Sequence, residues 1–335
     1  LAGDAITTGI ENIAIGFEAL STNIDGDSNV AIGVGALKDF EADTDGHGSN
    51  TAIGNLAMAE CTTGTVNTAV GAQAMGNGIT TGDYNVALGY KALQDVTSAN
   101  YNVALGSQAM LQVSSGSQNV AVGFNALSAE TTGQRSVAVG DHALATLNNN
   151  ANNYNTAVGY NAGGSVSTGG FNTFIGGEAG DITTGAENTV VGYAAGGGTT
   201  TGGNNTFIGT SAGLANEGGG SNICIGRNAN TGGASFSNSI TIGTGITNNL
   251  GSNTTEIGTT TTTNALVHGL RKPVVLVTSN VGASDVRSGT LYVFNDADGA
   301  VVTLPNSGAT EGSTQIGATY EFFVAVTATT NSHKI

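Results

Sequence analysis

The chain has 335 residues, of which 54 are Gly and two are Pro; 10% are charged and 5% aromatic. Gly, Thr, Ser and Asn disfavour helix interiors, so a domain of long helices is excluded; collagen, with Gly at every third residue and abundant Pro, is excluded too. Asp and Glu number 24 against 8 Lys and Arg, a net charge of -16, which argues against nucleic acid or an anionic membrane surface as partner.

Apolar residues make up 39% of the chain and recur in register, unlike a disordered acidic tail. No apolar run reaches the length of a membrane span, so no membrane insertion is expected. Cys61 and Cys224 show no metal-ligand spacing and no disulfide framework. The chain starts at Leu1 rather than Met, as a piece of a longer product would, so missing targeting segments mean little.

From residue 12 onward one phrase recurs: Asn, any residue, a small residue, Ile/Val/Leu, Gly. It starts at Asn12, Asn29, Asn50, Asn67, Asn85, Asn102, Asn119, Ser136, Asn155, Asn172, Asn188, Asn205 and Asn222, and closes with decayed copies at Ser239 and Thr254. These 15 copies are spaced by 17 residues in most steps, with extremes of 15 and 21. Such a period is too short for a helix-containing repeat. It predicts an all-β parallel solenoid, one coil per repeat, each coil holding two short strands and two tight turns. Stacked about 4.8 Å apart, the coils give a rod of roughly 70 Å.

Each position of the phrase, counting Asn as zero, has a physical role. The twelve Asn residues are expected to hydrogen-bond into the turn and to stack as a structural ladder. Position +3 is Ile, Val or Leu, as in Ile15, Val70, Leu105 and Ile208, and reads as a buried core ladder with +1 on the same side. Position +2 then points outward. It is Ala14, Ala31, Ala52, Ala69, Ala87, Ala104, Ala121, Ala138 and Ala157, followed by Phe174, Val190, Phe207 and Cys224. A continuous apolar stripe outside a thin rod predicts an inter-chain contact. Gly at +4 permits a tight turn or a close backbone approach.

Position +7 is Ala from Ala19 to Ala229. Position +8 is Leu or Met in the first eight coils (Leu20 to Leu144), then Gly163, Gly180, Gly196 and Gly213. Where +8 shrinks to Gly, +2 grows to Phe or Val, which predicts a change of cross-section near residue 160. Thr-Thr-Gly before many phrases is turn chemistry.

Two long steps place loops at 38–49 and 146–154, candidate contact surfaces together with the C-terminal module. Domain bounds follow: a repeat rod over 1–258, a connector over 259–269, and a module over 270–335 that can continue beyond Ile335. Runs at 273–277, 289–294, 300–304 and 320–326, joined by polar turns such as 295–299, predict a small antiparallel β module.

The recurring Asn-Xaa-Ala-Ile/Val-Gly phrase with its Ala-containing turn resembles the head repeats of trimeric autotransporter adhesins, and similar repeats occur in phage tail fibres. The resemblance covers about residues 10 to 260. It implies a left-handed parallel β-roll in which three chains pack side by side as a homotrimer. The period departs from the adhesin pattern, about 17 rather than about 14 residues, and no stalk or anchor is seen. That favours a viral fibre.

No nucleophile elbow, P-loop, dinucleotide fingerprint or zinc signature is present. His47, His142, His268 and His333 are scattered. Cys224 reads as a small buried apolar group and Cys61 as a turn residue open to solvent. No cofactor is expected. The candidate Ca²⁺ ligands are Asp25, Asp27 and the acidic residues of 39–45, with Asp296 and Asp298, though acidic loops are commonly only solvated.

The leading expectation is therefore a non-enzymatic structural fibre that displays a host-surface recognition tip, located on a virion as a tail fibre. Its partner would be a host cell-surface glycan or protein. The alternatives are a bacterial trimeric surface adhesin, a glycan-cleaving fibre and an ice-binding solenoid. The last is weakened by placing the +1 Thr residues on the core side.

Overall fold

The structure is a computed structural model. It describes residues 1–42, 47–78, 80–149, 152–181 and 184–258, and the backbone of three later strands. The chain divides into two compact units, Leu1–Thr263 and Asn264–Ile335.

The first unit is the expected all-β parallel solenoid. Its strands are β1 (Ile13–Ile15), β2 (Val30–Ile32), β3 (Thr51–Ile53), β4 (Thr68–Val70), β5 (Val86–Leu88), β6 (Val103–Leu105), β7 (Val120–Val122) and β8 (Val137–Val139). They continue as β9 (Thr156–Val158), β10 (Thr173–Ile175), β11 (Thr189–Val191), β12 (Thr206–Ile208), β13 (Ile223–Ile225), β14 (Asn230–Thr231), β15 (Ile240–Ile242), β16 (Thr247–Asn248) and β17 (Thr255–Ile257). Fifteen of these form one sheet in chain order, with β14 and β16 paired separately. Equivalent positions pair, as in Val86↔Val103 and Ala87↔Ala104, so the repeat sets the register.

Two strands per coil were expected, but most coils hold only one. The second half of the coil bends through left-handed residues at +6 and +8, such as Gln108 (φ 58°) and Met110 (φ 51°). That geometry breaks an extended strand. Neighbouring coils still bond there, Met110 N–H donating to the Ala126 carbonyl at 2.9 Å.

The parity of the strand is the reverse of the expected one. The +2 residues face inward: Ala31, Ala52, Ala69, Ala87, Ala104, Ala121, Ala138, Ala157, Phe174, Phe207 and Cys224 are all 0% exposed, with Val190 at 2%, and Ala14 is partly buried. None of the +1 and +3 residues is buried. The Asn decides this. From Asn29 to Asn222 each ladder Asn is buried, and period-two alternation then carries +2 inward and +1 and +3 outward. The interior is thin, because Ala at +7 and Leu or Met at +8 already fill it from the other side. A small residue suits +2 for that reason.

The Asn ladder is a chain of hydrogen bonds. Asn102 Oδ1 accepts the Asn119 backbone N–H at 2.9 Å, and Asn102 Nδ2 donates to the Gly116 carbonyl at 2.8 Å. The amide thus ties its own coil closed while holding the next. The ladder crosses the 21-residue step, where Asn50 N–H donates to Asn29 Oδ1 at 3.0 Å. Ser136 N–H still donates to Asn119 Oδ1 at 2.9 Å, but its hydroxyl is buried without a partner. The ladder restarts at Asn155, whose Oδ1 accepts from Asn172 N–H at 2.9 Å.

Gly at +4 is required by both backbone and space. Gly106 has φ 136°, and a Cβ there would lie 2.5 Å from the Gly123 carbonyl oxygen of the next coil. The +2/+8 exchange is also real. A Cβ on Gly163 would meet the Phe174 ring at 2.8 Å, and one on Gly180 would collide with the same ring. Phe174 therefore occupies the space that Leu or Met fills in earlier coils.

A further interior row, at +11, escaped the sequence reading. It holds Asn23, Phe40, Cys61, Val96, Val113, Glu130, Leu147, Val166 and Asn216, all 0% exposed. Residue type varies too much there for a repeat signal to stand out.

In the second unit, β18 (Val274–Val277), β19 (Leu291–Phe294) and β20 (Glu321–Val324) form a three-stranded sheet. Both pairings are parallel, which corrects the expected antiparallel module. Polar runs between strands were read as hairpin turns, but the connections of 13 and 26 residues leave room for crossovers. The connector 259–269, the run 300–304 and the turn 295–299 lie outside the described residues.

Candidate interaction surface

Because the parity is reversed, the outward stripe is not the Ala series but the branched +1 and +3 residues. Ile13, Ile15, Ile53, Val86, Leu88, Val158, Ile175, Ile208 and Ile257 are exposed, between 36% and 58%, and the other Ile, Val and Leu residues at these positions are half-buried. The predicted inter-chain stripe Ala14, Ala31, Ala52, Ala69, Ala87, Ala104, Ala121, Ala138, Ala157, Phe174, Val190, Phe207 and Cys224 is thus interior packing. The face it was meant to explain exists on the opposite side of the strand.

Two rows flank this face. After the +4 glycine come Phe17, Val34, Tyr90, Phe124, Tyr160 and Tyr193, all exposed. On the other side, just before the Asn, come Val66, Tyr84, Tyr101, Arg135, Tyr154 and Phe171 in left-handed backbone. Tyr84 and Tyr101 stack at 5.1 Å with an interplanar angle of 5°. Tyr154 and Phe171 stack at 5.4 Å, and the Arg135 guanidinium lies 5.5 Å from the Tyr154 ring centre. One-per-coil placement brings planar groups into contact along the edge, which the spacing alone did not show. Both predicted loops, 38–49 and 146–154, end at this same corner, at Ser49 and Tyr154.

The Thr residues at +1, including Thr156, Thr173, Thr189 and Thr206 on four successive coils, also lie on the outer face and are half-buried or exposed. That removes the objection raised above to a water-facing Thr row.

The titratable groups serve the fold. Glu130 replaces a missing carbonyl. Elsewhere three successive N–H groups converge on one carbonyl of the next coil, as Ser114, Ser115 and Gly116 do on Thr131. Before the 146–154 insertion, Glu130 Oε1 instead accepts from Thr131, Thr132 and Gly133 N–H at 3.0, 3.3 and 2.7 Å, and Oε2 accepts from Asn153 Nδ2 at 2.8 Å. Burial still pushes its carboxyl pKa up against those bonds. Glu41 is raised as well, by desolvation first and then by its neighbour Asp25.

Cys61, expected in the open, is buried in the +11 row, with its thiol pushed up to about 12 by desolvation. Cys224 is buried as expected, its thiol pushed up to about 11 for the same reason. His142 contacts Asp141 and packs edge-on against Phe124 at 5.3 Å. Asp27 caps the Ile10 N–H at 2.7 Å. Among the described residues no three His, Cys, Asp or Glu side chains gather into a metal site. Asp43, Asp45, His268, Asp296, Asp298 and His333 lie outside the described residues. Among the described residues no helix is long and apolar enough to cross a membrane.

No protein-family model matches the chain. No curated protein matches it either.

Proposed function

We propose that this chain is a structural fibre subunit whose solenoids associate with copies of themselves through the +1/+3 sheet face, holding a host-recognition surface away from a viral particle. The observation that carries the reading is the outward +1/+3 face repeated on every coil, its Ile, Val and Leu residues exposed in some coils and half-buried in the others. Fifteen strands at about 4.8 Å and three residues at about 3.3 Å give a strand face of about 700 Å², near the roughly 800 Å² that each partner of a stable interface buries. Thr interrupts the +1 row, but +3 is Ile, Val or Leu on every coil, and few monomers leave a continuous apolar patch of several hundred Å² in water. The face is periodic, so the surface that best matches it carries the same coil spacing: another copy of this chain. Three copies is the number that the resemblance to adhesin heads supports. The corner with the two insertions would then stay clear of the contact. On this reading the protein works by display and avidity, without catalysis or a bound cofactor. A bacterial surface adhesin is the alternative that the same architecture supports.

The test is native mass by light scattering. A value of about 99 kDa, three times the 32.9 kDa chain, is the expected result, and Leu88→Glu is expected to yield monomers with an unchanged circular dichroism spectrum. A stable wild-type monomer overturns the proposal. It would favour a second reading carried by the outward Thr row: a free face of Thr, Val and Ile that orders water. Thermal hysteresis of a dilute monomer would support that reading.

A further inference from the structure

We infer that the corner where residues 47–49 meet Tyr84 is a binding site for an uncharged sugar residue. The inference deepens the display reading, on which it rests for a host-surface ligand, and it names the chemistry of that ligand.

The site is a depression of about 260 Å³ lined by His47, Gly48, Ser49, Thr65, Val66 and Tyr84. It arises from side-chain size on one ladder. The row before the Asn reads Ser49, Val66, Tyr84, Tyr101 on successive coils. The two tyrosines stack on each other, so one face of Tyr84 is covered by Tyr101. Its other face looks toward the shorter Val66 and Ser49 of the preceding coils, and the depression opens there. The result is an exposed aromatic wall standing beside an apolar floor. Tyr84 is 51% exposed and Val66 43%.

The remaining lining is polar: His47, Gly48, Ser49 and Thr65. Thr65 is held by Asp83, whose Oδ1 accepts from both its N–H (2.7 Å) and its hydroxyl (3.0 Å). The Thr65 hydroxyl oxygen is thereby turned into an acceptor. Val66 N–H is tied to the Gly48 carbonyl at 3.0 Å, so the floor is set by backbone bonding and not by a mobile side chain. Ser49 supplies a second hydroxyl at the rim.

A pyranose matches this combination. Its axial C–H groups carry partial positive charge and pack on the negative face of an aromatic ring, while its rim of hydroxyls needs donors and acceptors at the side. A ligand that is apolar all over would leave the hydroxyls unmatched. An anionic one would meet Asp83 next to the site and the chain charge of -16. The other ring pair on the same edge does not offer such a seat, since Tyr154 lies between Arg135 and Phe171.

The test is saturation-transfer NMR on the full chain with the methyl glycosides of glucose, galactose and N-acetylglucosamine, and with glucuronic acid as the acidic comparison. Transfer to the ring C–H protons of at least one neutral glycoside is expected, and little to glucuronic acid. Tyr84→Ala is expected to weaken binding about tenfold, Tyr84→Phe to keep it, and Tyr154→Ala to leave it unchanged. No transfer to any neutral sugar, or transfer that survives Tyr84→Ala, overturns the assignment. Native mass on the same samples separates the two proposals. Tyr84-dependent binding by a monomer would keep the sugar site and sink the fibre. A Tyr84→Ala chain that no longer assembles would place Tyr84 in the chain contact and overturn the site.

Discussion

The coils before residue 160 and those just after it solve one packing problem in two ways. Coils at 85–144 fill the interior with Leu or Met at +8 against Ala at +2, as Leu93 does opposite Ala87. Coils at 172–213 invert the sizes, with the rings of Phe174 and Phe207 against Gly180 and Gly213. The backbone barely notices. Leu93 has φ 52° and Gly180 φ 60°, and the strands stay in register across the change. Core volume is therefore conserved between two rows, while the Asn and Gly ladders, which set the coil's course, pass through unchanged.

The most severe way to break this comparison is to spoil the volume exchange. Phe174→Ala is expected to cost about 3–5 kcal/mol, and Gly180→Leu to be destabilising by overpacking against the intact ring. The double variant is expected to lose clearly less than the sum of the two in urea denaturation, because Leu then occupies the vacated space and its backbone conformation matches Leu93. Additive losses would show that the two rows do not exchange volume.

A smaller effect tests whether the Asn ladder is independent of core type. Asn102→Ala and Asn188→Ala each remove two buried partners, the Gly116 or Gly202 carbonyl and the next coil's N–H. Each is expected to cost about 3 kcal/mol, with similar values in the two regions. Unequal losses in thermal unfolding would tie the ladder to the core that surrounds it.

The ladder's gap gives a gain. Ser136→Asn supplies an amide where a buried hydroxyl now lacks a partner. It is expected to stabilise by about 1 kcal/mol, read as a raised denaturation midpoint.

Glu130 gives the smallest and most specific signal. Its folded pKa lies above the ordinary 4.5, so the folded state holds the proton more tightly than the unfolded one. The stability this contributes is present below pH 4.5 and is lost as pH rises through the folded pKa. Glu130→Gln should remove that slope above pH 4.5 while keeping the fold, since Gln retains an acceptor for the three N–H groups. A rotated Asn153 amide can meet the Gln amide, because Asn153 Oδ1 is buried and unpartnered in the wild-type structure. An unchanged pH profile would rule Glu130 out as its source.

Much of this was readable in the chain alone. The period of 17, the parallel stacking, the Asn ladder, the Gly turns and the exchange near residue 160 all follow from side-chain type recurring at one spacing, since a solenoid repeats its physics with its sequence. The side of the strand that faces inward was decided by the tertiary structure. Alternation defines two faces but does not say which is the interior, and the larger apolar residues looked like the core. Beside its buried Asn the closed coil admits a small Ala or Cys, or a Phe or Val where +8 is Gly, and so most of the branched residues are left outside. The +11 row, with Glu130 and Cys61, was hidden because interior filling there tolerates many side chains. The stacked edge beside Tyr84 exists only once successive coils bring residues 17 positions apart into contact.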